Sequence, residues 1–458
     1  MRTSIYITSL LLAVLTMASC ERDTENVSSG IDSYYYIERM KKLRLSPAYT
    51  GLSYKWTVKT EQGSDSLLST EREYIFLAKD EGRYDITFSL DDGGRGFKQS
   101  FPVTVVHEDT EYSPYTAHVQ EYRPAPGQFV NTMPYYEAGD NAETMRQKAE
   151  DDLVNDVMIS LGAYGGYVTF AFDHTVINAP GQKDFYIKGN SVYSDIPAYH
   201  DRRGGSSEPG IVMVAFDRNM NGRPDDDEWY ELAGSEYADP TTLKNYRLTY
   251  KRPDGHQPVP DMTGILTDTL YIPWSDNKGG SGYVAKNMYH SQSYYPQWLD
   301  DDSLTFSGTR LRRNGVDESG FGSYYVLYSY PWGYADNHPN DSTALCSFDI
   351  GWAVDHEGKP ANLPGADFIR VYTGVNQYCG WLGETSTEIA RATDLHIEAQ
   401  PSVPDDPLAA PRRNAIPRQK ASHARESAFR QWVQAQWRKP MKQADPGKDT
   451  KNKHQIYY

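Results

Sequence analysis

Hydrophobic and polar residues alternate along short stretches through most of the chain. Residues 52–58 and 82–90 show this pattern, and turn residues such as Asp91 to Gly94 separate such stretches. A period of two residues indicates half-buried β-strands. The pattern predicts strands at 52–58, 74–77, 82–90, 101–106, 167–172, 184–190, 211–216, 229–232, 246–250, 324–330, 346–350 and 367–372. Before residue 400, a helix is predicted at 141–157, where Leu153 and Val157 are spaced four apart. An all-β fold follows.

The first strands carry a recognisable pattern of aromatic residues. The strand with Tyr54, Trp56 and Val58 and the strand with Tyr84 and Ile86 resemble those of PKD-type immunoglobulin-like modules. The resemblance implies a small β-sandwich at residues 32–107, of a type that usually serves as a spacer.

The predicted body of the chain is a second, larger, jelly-roll-like β-sandwich at residues 158–400. Strands dominate this region and helices are nearly absent, which favours two packed antiparallel sheets. Long loops are predicted at 191–209, 253–264, 274–302 and 331–343, and loops of this length commonly carry binding sites. Residues 108–157 are predicted to be a linking segment with a short helix.

Charge is distributed unevenly. The net charge of −16 argues against nucleic acid as a main partner. From Pro411 onward there are 12 Lys and Arg against 3 Asp and Glu, so this part carries +9 and the remainder −25. Residues 401–458 are therefore predicted to be a basic, mostly disordered tail.

The chain begins with a targeting segment. Arg2 precedes a short apolar run, and Met17-Ala18-Ser19-Cys20 resembles the lipobox of bacterial lipoproteins. The resemblance implies a signal peptide at residues 1–19, a lipidated Cys20 and a tether at residues 20–31. The acidic residues after Cys20 resemble the surface-export signal of Bacteroidetes lipoproteins, which implies an outer-membrane, cell-surface location held by the lipid anchor alone. The alternative is a plain secretory signal.

The two other cysteines, Cys346 and Cys379, leave two possibilities open. An exported protein can join them in a disulfide, and equally both can be buried thiols. No zinc or catalytic cysteine pattern is present.

One stretch fits a calcium-loop pattern. Residues 217–228 match D-x-[DN]-x-[DN]-G-x5-E, with Gly222 at the turn. Calcium prefers six to eight oxygen ligands, which alternate side chains of such a loop can supply. The flanking residues are predicted strands, so we expect a structural Ca²⁺ in a β-hairpin; the alternative is a solvated acidic turn. The predicted ligands are Asp217, Asn219, Asn221, Asp225 and Glu228.

Aromatic residues gather in the predicted long loops. Flat aromatic faces with amides nearby suit a large ligand with amide or hydroxyl groups. The alternative is that these residues anchor the core. No nucleophile elbow, zinc-protease motif or phosphate-binding loop is present, and no acidic pair stands out, so a binding protein is expected rather than an enzyme. The predicted ligand-binding residues are Tyr294, Tyr295, Trp298, Trp332, Tyr334 and Trp381.

Five segments carry a wider resemblance, over about residues 20–398. They are 161–174 (LGAYGGYVTFAFDH), 184–190 (DFYIKGN), 208–214 (EPGIVMV), 332–337 (WGYADN) and 380–386 (GWLGETS). Together they resemble a family of Bacteroidetes cell-surface lipoproteins with a PKD-like module that bind cobalamin (vitamin B12). The resemblance implies capture of cobalamin and its transfer to a TonB-dependent outer-membrane transporter. A carbohydrate-binding or glycan-processing lipoprotein and an adhesin remain as alternatives.

Overall fold

The computed structural model describes residues 29–60, 63–94, 96–194 and 202–397. The predicted signal peptide, Cys20 with most of its tether, and the basic tail lie outside these residues. The chain divides into two compact units, the first ending at His107 and the second containing Leu77–Lys79 and the chain from Glu108 onward. Within the described ranges, no helix is both long and apolar enough to cross a membrane.

The described part of the first unit contains seven strands in two sheets. In chain order, β1 to β7 are Tyr35–Glu38, Leu43–Leu45, Ser53–Lys59, Asp65–Ser69, Tyr74–Phe76, Gly82–Asp91 and Gly96–Val106. A five-stranded sheet has the order β1-β7-β6-β3-β4, in which β1 runs parallel to β7 and the other neighbours are antiparallel. A second sheet pairs β2 with β5.

Alternation along these strands builds the core of the first unit. Ile86 and Phe88 of β6 and Phe101 of β7 are buried, while the residues between them face outward. The Trp56 ring lies 4.5 Å from that of Phe88, and its Nε1 donates to the Glu71 carbonyl at 2.9 Å. The indole is therefore both packed and hydrogen-bonded, as a buried tryptophan requires.

Twenty strands in several sheets make up the second unit, counted over its described residues. In chain order, β8 to β27 are His118–Arg123, Ile159–Ser160, Tyr167–Ala171, Val176–Ile177, Phe185–Ile187, Gly204–Gly205, Gly210–Ala215, Trp229–Leu232, Leu243–Lys251, Leu266–Asp276, Ser281–Asn287, Ser303–Arg310, Gly315–Asp317, Tyr325–Tyr328, Ser347–Phe348, Ala353–Val354, Gly365–Ala366, Phe368–Thr373, Glu388–Ile389 and Ala392–Asp394. The largest sheet has six strands in the order β23-β15-β14-β25-β10-β8, and a four-stranded sheet has the order β18-β17-β16-β19. Smaller sheets join β22-β12-β27, β13-β21-β20, β11-β24 and β26-β9.

The predicted all-β class is confirmed, with two or more sheets in each unit. Helices are few in the described chain: one α-helix and four short 3₁₀ helices at Asp226–Glu228, Thr343–Leu345, Ile350–Trp352 and Gly380–Leu382.

The α-helix, α1, spans Ala142–Val154 and begins where the sequence predicts. The Asn141 side chain accepts hydrogen bonds from the N–H groups of Glu143 and Thr144, which satisfies donors at the helix start. Its neighbourhood differs from the prediction. Residues 108–157 are not a linking segment, because β8 is an edge strand of the six-stranded sheet and α1 packs against it.

A second difference concerns the predicted loop at 274–302. It contains the end of β17 and all of β18, which form a hairpin in the four-stranded sheet. Proline is rare inside sheets, and Pro273 with the polar residues around it hides the alternation. The sheet packs over a core in which Tyr246, Leu248 and Ile272 are fully buried.

Both remaining cysteines are free, buried thiols, so the second of the two possibilities holds. The Cys346 thiol lies 3.4 Å from the His338 carbonyl oxygen. Burial raises the pKa of each thiol to about 12, so neither is a reactive thiolate near neutral pH.

Candidate functional site

A cleft of about 380 Å³ opens on the four-stranded sheet. Its floor comes from β17 and β18, and one wall comes from the loop after β16. This volume is at the lower end of the range for ligand pockets. The lining residues are Pro253, Gly255, His256, Pro258, Thr267, Asp268, Tyr271, Lys286, Asn287, Met288 and Ser291.

Acidic and imidazole groups occupy one side of the cleft. His256 places Nδ1 2.8 Å from Asp254 Oδ1 and Nε2 3.2 Å from Asp268. The hydrogen bonds to Asp254 and then to Asp268 raise the pKa of His256. Asp268 is only 5% exposed and also accepts from the Val259 and Leu270 N–H groups. These hydrogen bonds therefore fix His256 and Asp268 in place.

Lys286 supplies the cation of the cleft. Its Nζ lies 5.0 Å from the centre of the Tyr271 ring, close enough for a cation–π contact. Burial lowers the pKa of Lys286, and the charge of Asp268 partly offsets that effect. The cleft therefore offers an ammonium donor, a carboxylate acceptor and an aromatic face within one small volume.

An aromatic surface adjoins the cleft at the end of β18. Tyr289 follows the cleft residue Met288, and its ring lies 6.5 Å from that of Trp381 in an edge-on arrangement. Tyr289 is 44% exposed. Gln128 joins the segments that bear Tyr289 and Trp381. Its Oε1 accepts from Asn287 and its Nε2 donates to the Leu382 carbonyl, both at 2.8 Å. The turn beside the cleft and the turn bearing Trp381 are therefore held together.

The six predicted ligand-binding aromatics do not form one surface. Tyr294, Tyr295, Trp298 and Tyr334 are between 0% and 7% exposed, and for these four the core alternative describes their position. Tyr294 Oη accepts from the Asn287 N–H at 3.2 Å, and Tyr295 Oη donates to the Asp301 carbonyl at 2.7 Å.

The other two predicted aromatics reach the surface. Trp332 is 38% exposed and its ring lies 4.6 Å from that of Trp352. Trp381 is partly exposed, and its Nε1 donates to the Ser323 carbonyl at 3.1 Å. Of the six, these two alone present part of a ring to an incoming ligand. The cleft residues His256, Asp268 and Lys286 were missed, because isolated polar residues on strands carry no motif.

The predicted calcium loop connects β14 to β15, which pair as an antiparallel hairpin as expected. Gly222 adopts a φ of +74°, a left-handed conformation that glycine tolerates well. The side-chain amides of Asn219 and Asn221 both donate to Asp225 Oδ2, at 2.6 and 2.8 Å. These three predicted ligands therefore lie together, with the amide nitrogens facing Asp225 and the amide oxygens accepting from the Asn221 and Arg223 N–H groups.

The first and last predicted ligands of the loop are buried. Asp217 is 5% exposed and accepts from the N–H groups of Asn221 and Gly222 at 3.0 and 2.8 Å. Glu228 is 2% exposed and accepts from the Arg218 N–H at 2.8 Å. All five predicted ligands carry oxygen donors, as a hard cation needs, so the loop fits Ca²⁺ chemically.

Calcium is expected to stabilise the second unit through this loop. A ligand that binds only the folded state adds about 2.7 kcal/mol at a hundredfold excess over its Kd. Asp217→Ala should reduce the difference in stability between thermal melts in Ca²⁺ and in EDTA by this increment. Asp226→Ala is the control, because Asp226 is exposed and stands outside the ligand positions. Equal losses in the two variants would contradict a site at Asp217.

Comparison with known proteins gives little guidance. No family model matches the chain, and no curated protein matches it. One solved structure, a quinonprotein alcohol dehydrogenase-like protein from Bacteroides thetaiotaomicron VPI-5482, matches with a TM-score of 0.16 and 14% identity over 21% of this chain and 22% of that chain. Another, a SusE-like protein, matches with a TM-score of 0.26 and 9% identity over 80% of this chain and 99% of that chain. At these scores neither likeness bears on function.

Proposed function

We propose that this chain is a surface lipoprotein that binds a carbohydrate in the cleft on the four-stranded sheet. The observation that carries this proposal is the combination of Lys286, Asp268 and the Tyr271 ring around about 380 Å³. A sugar presents hydroxyl groups to charged donors and acceptors and a C–H face to an aromatic ring. A few fixed polar groups in a small concave site are typical of small-molecule recognition.

The site supports binding rather than catalysis. Asp268 Oδ1 accepts from His256 and from two backbone N–H groups, which hold the carboxylate in one orientation and leave lone pairs on Oδ2 for a ligand hydroxyl. The proposed location is supported by the resemblance of Met17-Ala18-Ser19-Cys20 to a lipobox and of the acidic residues after Cys20 to a surface-export signal. A surface-bound sugar-binding protein would then present glycans to an outer-membrane transporter of the TonB-dependent class.

Cobalamin is the second candidate ligand, favoured by the aromatic surface beside the cleft. The corrin ring is flat and rimmed by amides, and Tyr289 and Trp381 offer aromatic faces with polar tips. The cleft is too small to enclose a corrin, so cobalamin would lie across the aromatic surface and place only a side group in the cleft. The five-segment resemblance implies the same ligand.

Titration calorimetry with a panel of oligosaccharides and with cyanocobalamin tests both ligands. For a sugar in the cleft, Lys286→Met should weaken binding about tenfold or more, because a hydrogen bond to a charged group contributes about 1.5–3 kcal/mol. Lys278→Met is the matched control, since Lys278 lies in the exposed turn between β17 and β18.

The variants also separate the two ligands. Trp381→Ala should weaken cobalamin binding about thirtyfold, the effect of losing an anchor of about 2 kcal/mol, and Trp332→Ala tests the other exposed predicted aromatic. If neither ligand class gives measurable heat with the unmutated protein, the binding proposal is wrong. Equal affinities of the Lys286 and Lys278 variants for a bound sugar would place that sugar elsewhere.

A further inference from the structure

Three acidic side chains meet inside the second unit, away from the cleft and the calcium loop. Glu208, Asp336 and Glu388 each bring a carboxylate oxygen within 4.8 Å of the other two. Asp336 is 3% exposed and Glu388 is 1% exposed, whereas Glu208 is partly accessible. The cluster is thus largely buried, and Glu208 is the most accessible of the three residues.

No positive side chain in the described part of the chain neutralises this cluster. Across residues 29–60, 63–94, 96–194 and 202–397, none of the three carboxylates forms an ion pair with Lys, Arg or His. Burial raises the pKa of all three carboxyls, and the charge of Glu388 adds to this effect at Glu208 and Asp336. The pKa of Glu388 is raised by burial to about 7, although hydrogen bonds from Ser386, Ser160 and Asn190 act in the opposite direction. Three adjacent carboxylates in such a place need protons or a cation.

The existing hydrogen bonds leave oxygen atoms at the cluster unused. The N–H groups of Asn190 and Ser191 donate to Asp336 Oδ1 at 2.7 and 2.9 Å, and the Asn190 side chain donates to Glu388 Oε2 at 3.2 Å. Yet Asn190 Oδ1 and Ser191 Oγ are buried without a hydrogen-bond partner, and Ser191 is only 3% exposed. Buried oxygens of this kind normally have a partner. The backbone N–H groups of the same two residues bind Asp336, so both side chains are attached to backbone beside the cluster.

We propose that Glu208, Asp336 and Glu388, with the unpaired oxygens of Asn190 and Ser191, form a site for a hard divalent cation, with Ca²⁺ as the best fit. The donors are all oxygens, three of them anionic, which suits Ca²⁺ or Mg²⁺ and not a soft metal. Five protein oxygens leave room for water to complete the six to eight ligands of Ca²⁺, whereas Mg²⁺ demands a near-ideal octahedron. The cation replaces the missing positive charge and joins segments that are far apart in sequence.

The test is a Ca²⁺-binding measurement in the Asp217→Ala protein, which lacks the first ligand of the calcium loop. Equilibrium dialysis should find one Ca²⁺ per chain in this background and none after adding Glu388→Gln or Glu208→Gln. Glu357→Gln, which changes an exposed acid in the same way, should leave the stoichiometry at one. Failure of the sugar or cobalamin titrations would not affect this result.

The position of the bound ion is tested in a separate experiment, so the proposal can be refuted even if one of the variants folds poorly. Crystals of the Asp217→Ala protein grown with Mn²⁺ or Tb³⁺ should show an anomalous peak between the three carboxylates. The proposal is overturned if this protein binds none of Ca²⁺, Mg²⁺ and Mn²⁺, if the folded Glu388→Gln and Glu208→Gln variants retain the ion, or if the peak lies elsewhere.

Discussion

Trp298→Ala is expected to lower the free energy of unfolding of the second unit by about 3–5 kcal/mol, the usual cost of truncating a buried tryptophan. The side chain is 7% exposed, and its ring stacks near those of Tyr122 and Tyr136 at 6.1 and 6.3 Å. Replacing it by alanine leaves a cavity among rings that cannot collapse easily. Urea unfolding followed by circular dichroism measures the loss.

Two variants sharpen this prediction. Trp298 Nε1 is buried without a hydrogen-bond partner, so Trp298→Phe removes an unsatisfied donor and should cost less than alanine. Trp332→Ala truncates a ring that is 38% exposed and should cost less as well. Ligand affinity, measured on the folded fraction, should be unchanged in Trp298→Ala. An unaltered unfolding curve together with weakened binding would instead make Trp298 a ligand contact.

The same residues show what the sequence can and cannot predict. Strand β6, which has a clear period of two, lies where the alternation places it, and β14, a continuous apolar run, also lies where a strand is predicted. Strand β17 was missed, because Asp268 and Pro273 interrupt its pattern, although it forms the floor of the cleft. Periodicity predicts a strand only where one face is consistently apolar. It fails where a binding surface places polar residues on the inner face.

Aromatic residues in irregular segments are ambiguous for a related reason. Tyr294 and Trp381 both follow polar residues with glycine or serine among them, yet Tyr294 is fully buried and Trp381 reaches the surface. The Tyr294 ring packs against that of Tyr271 in β17, and Gln128 binds the turn that carries Trp381. The local sequence around Tyr294 and Trp381 does not encode these contacts.

The acidic cluster was missed because its members are far apart in the chain. Glu208, Asp336 and Glu388 are separated by more than fifty residues at each step, with no fixed spacing to detect. Glu208 and Asp336 nevertheless lie in segments that carry the family resemblance, and Asn190 ends a third. The candidate calcium loop, in contrast, could be proposed from the sequence, because its five predicted ligands lie within twelve residues.

Glu384 lies near the acidic cluster and makes stability depend on pH. It is 5% exposed, and burial raises its pKa to about 8, although a hydrogen bond from the Gln128 N–H at 2.5 Å acts in the opposite direction. The folded state therefore keeps a proton that the unfolded state loses near pH 4.5. Stability from this group is present below pH 4.5 and is lost as pH rises toward 8, since the unfolded state then binds fewer protons.

Glu384→Gln is expected to remove this loss. Glutamine keeps an oxygen to accept from Gln128 and has no proton to release, so its advantage over the unmutated protein should grow from pH 5 to pH 8 and reach on the order of 4 kcal/mol. The measurement is the difference in free energy of unfolding at each pH, in EDTA so that no cation binds at the neighbouring carboxylates. Glu357→Gln, whose side chain is 55% exposed, should give a flat difference. A flat difference for Glu384→Gln as well would show that Glu384 is ionised in the folded protein at neutral pH, and that a partner or water reaches its buried Oε2.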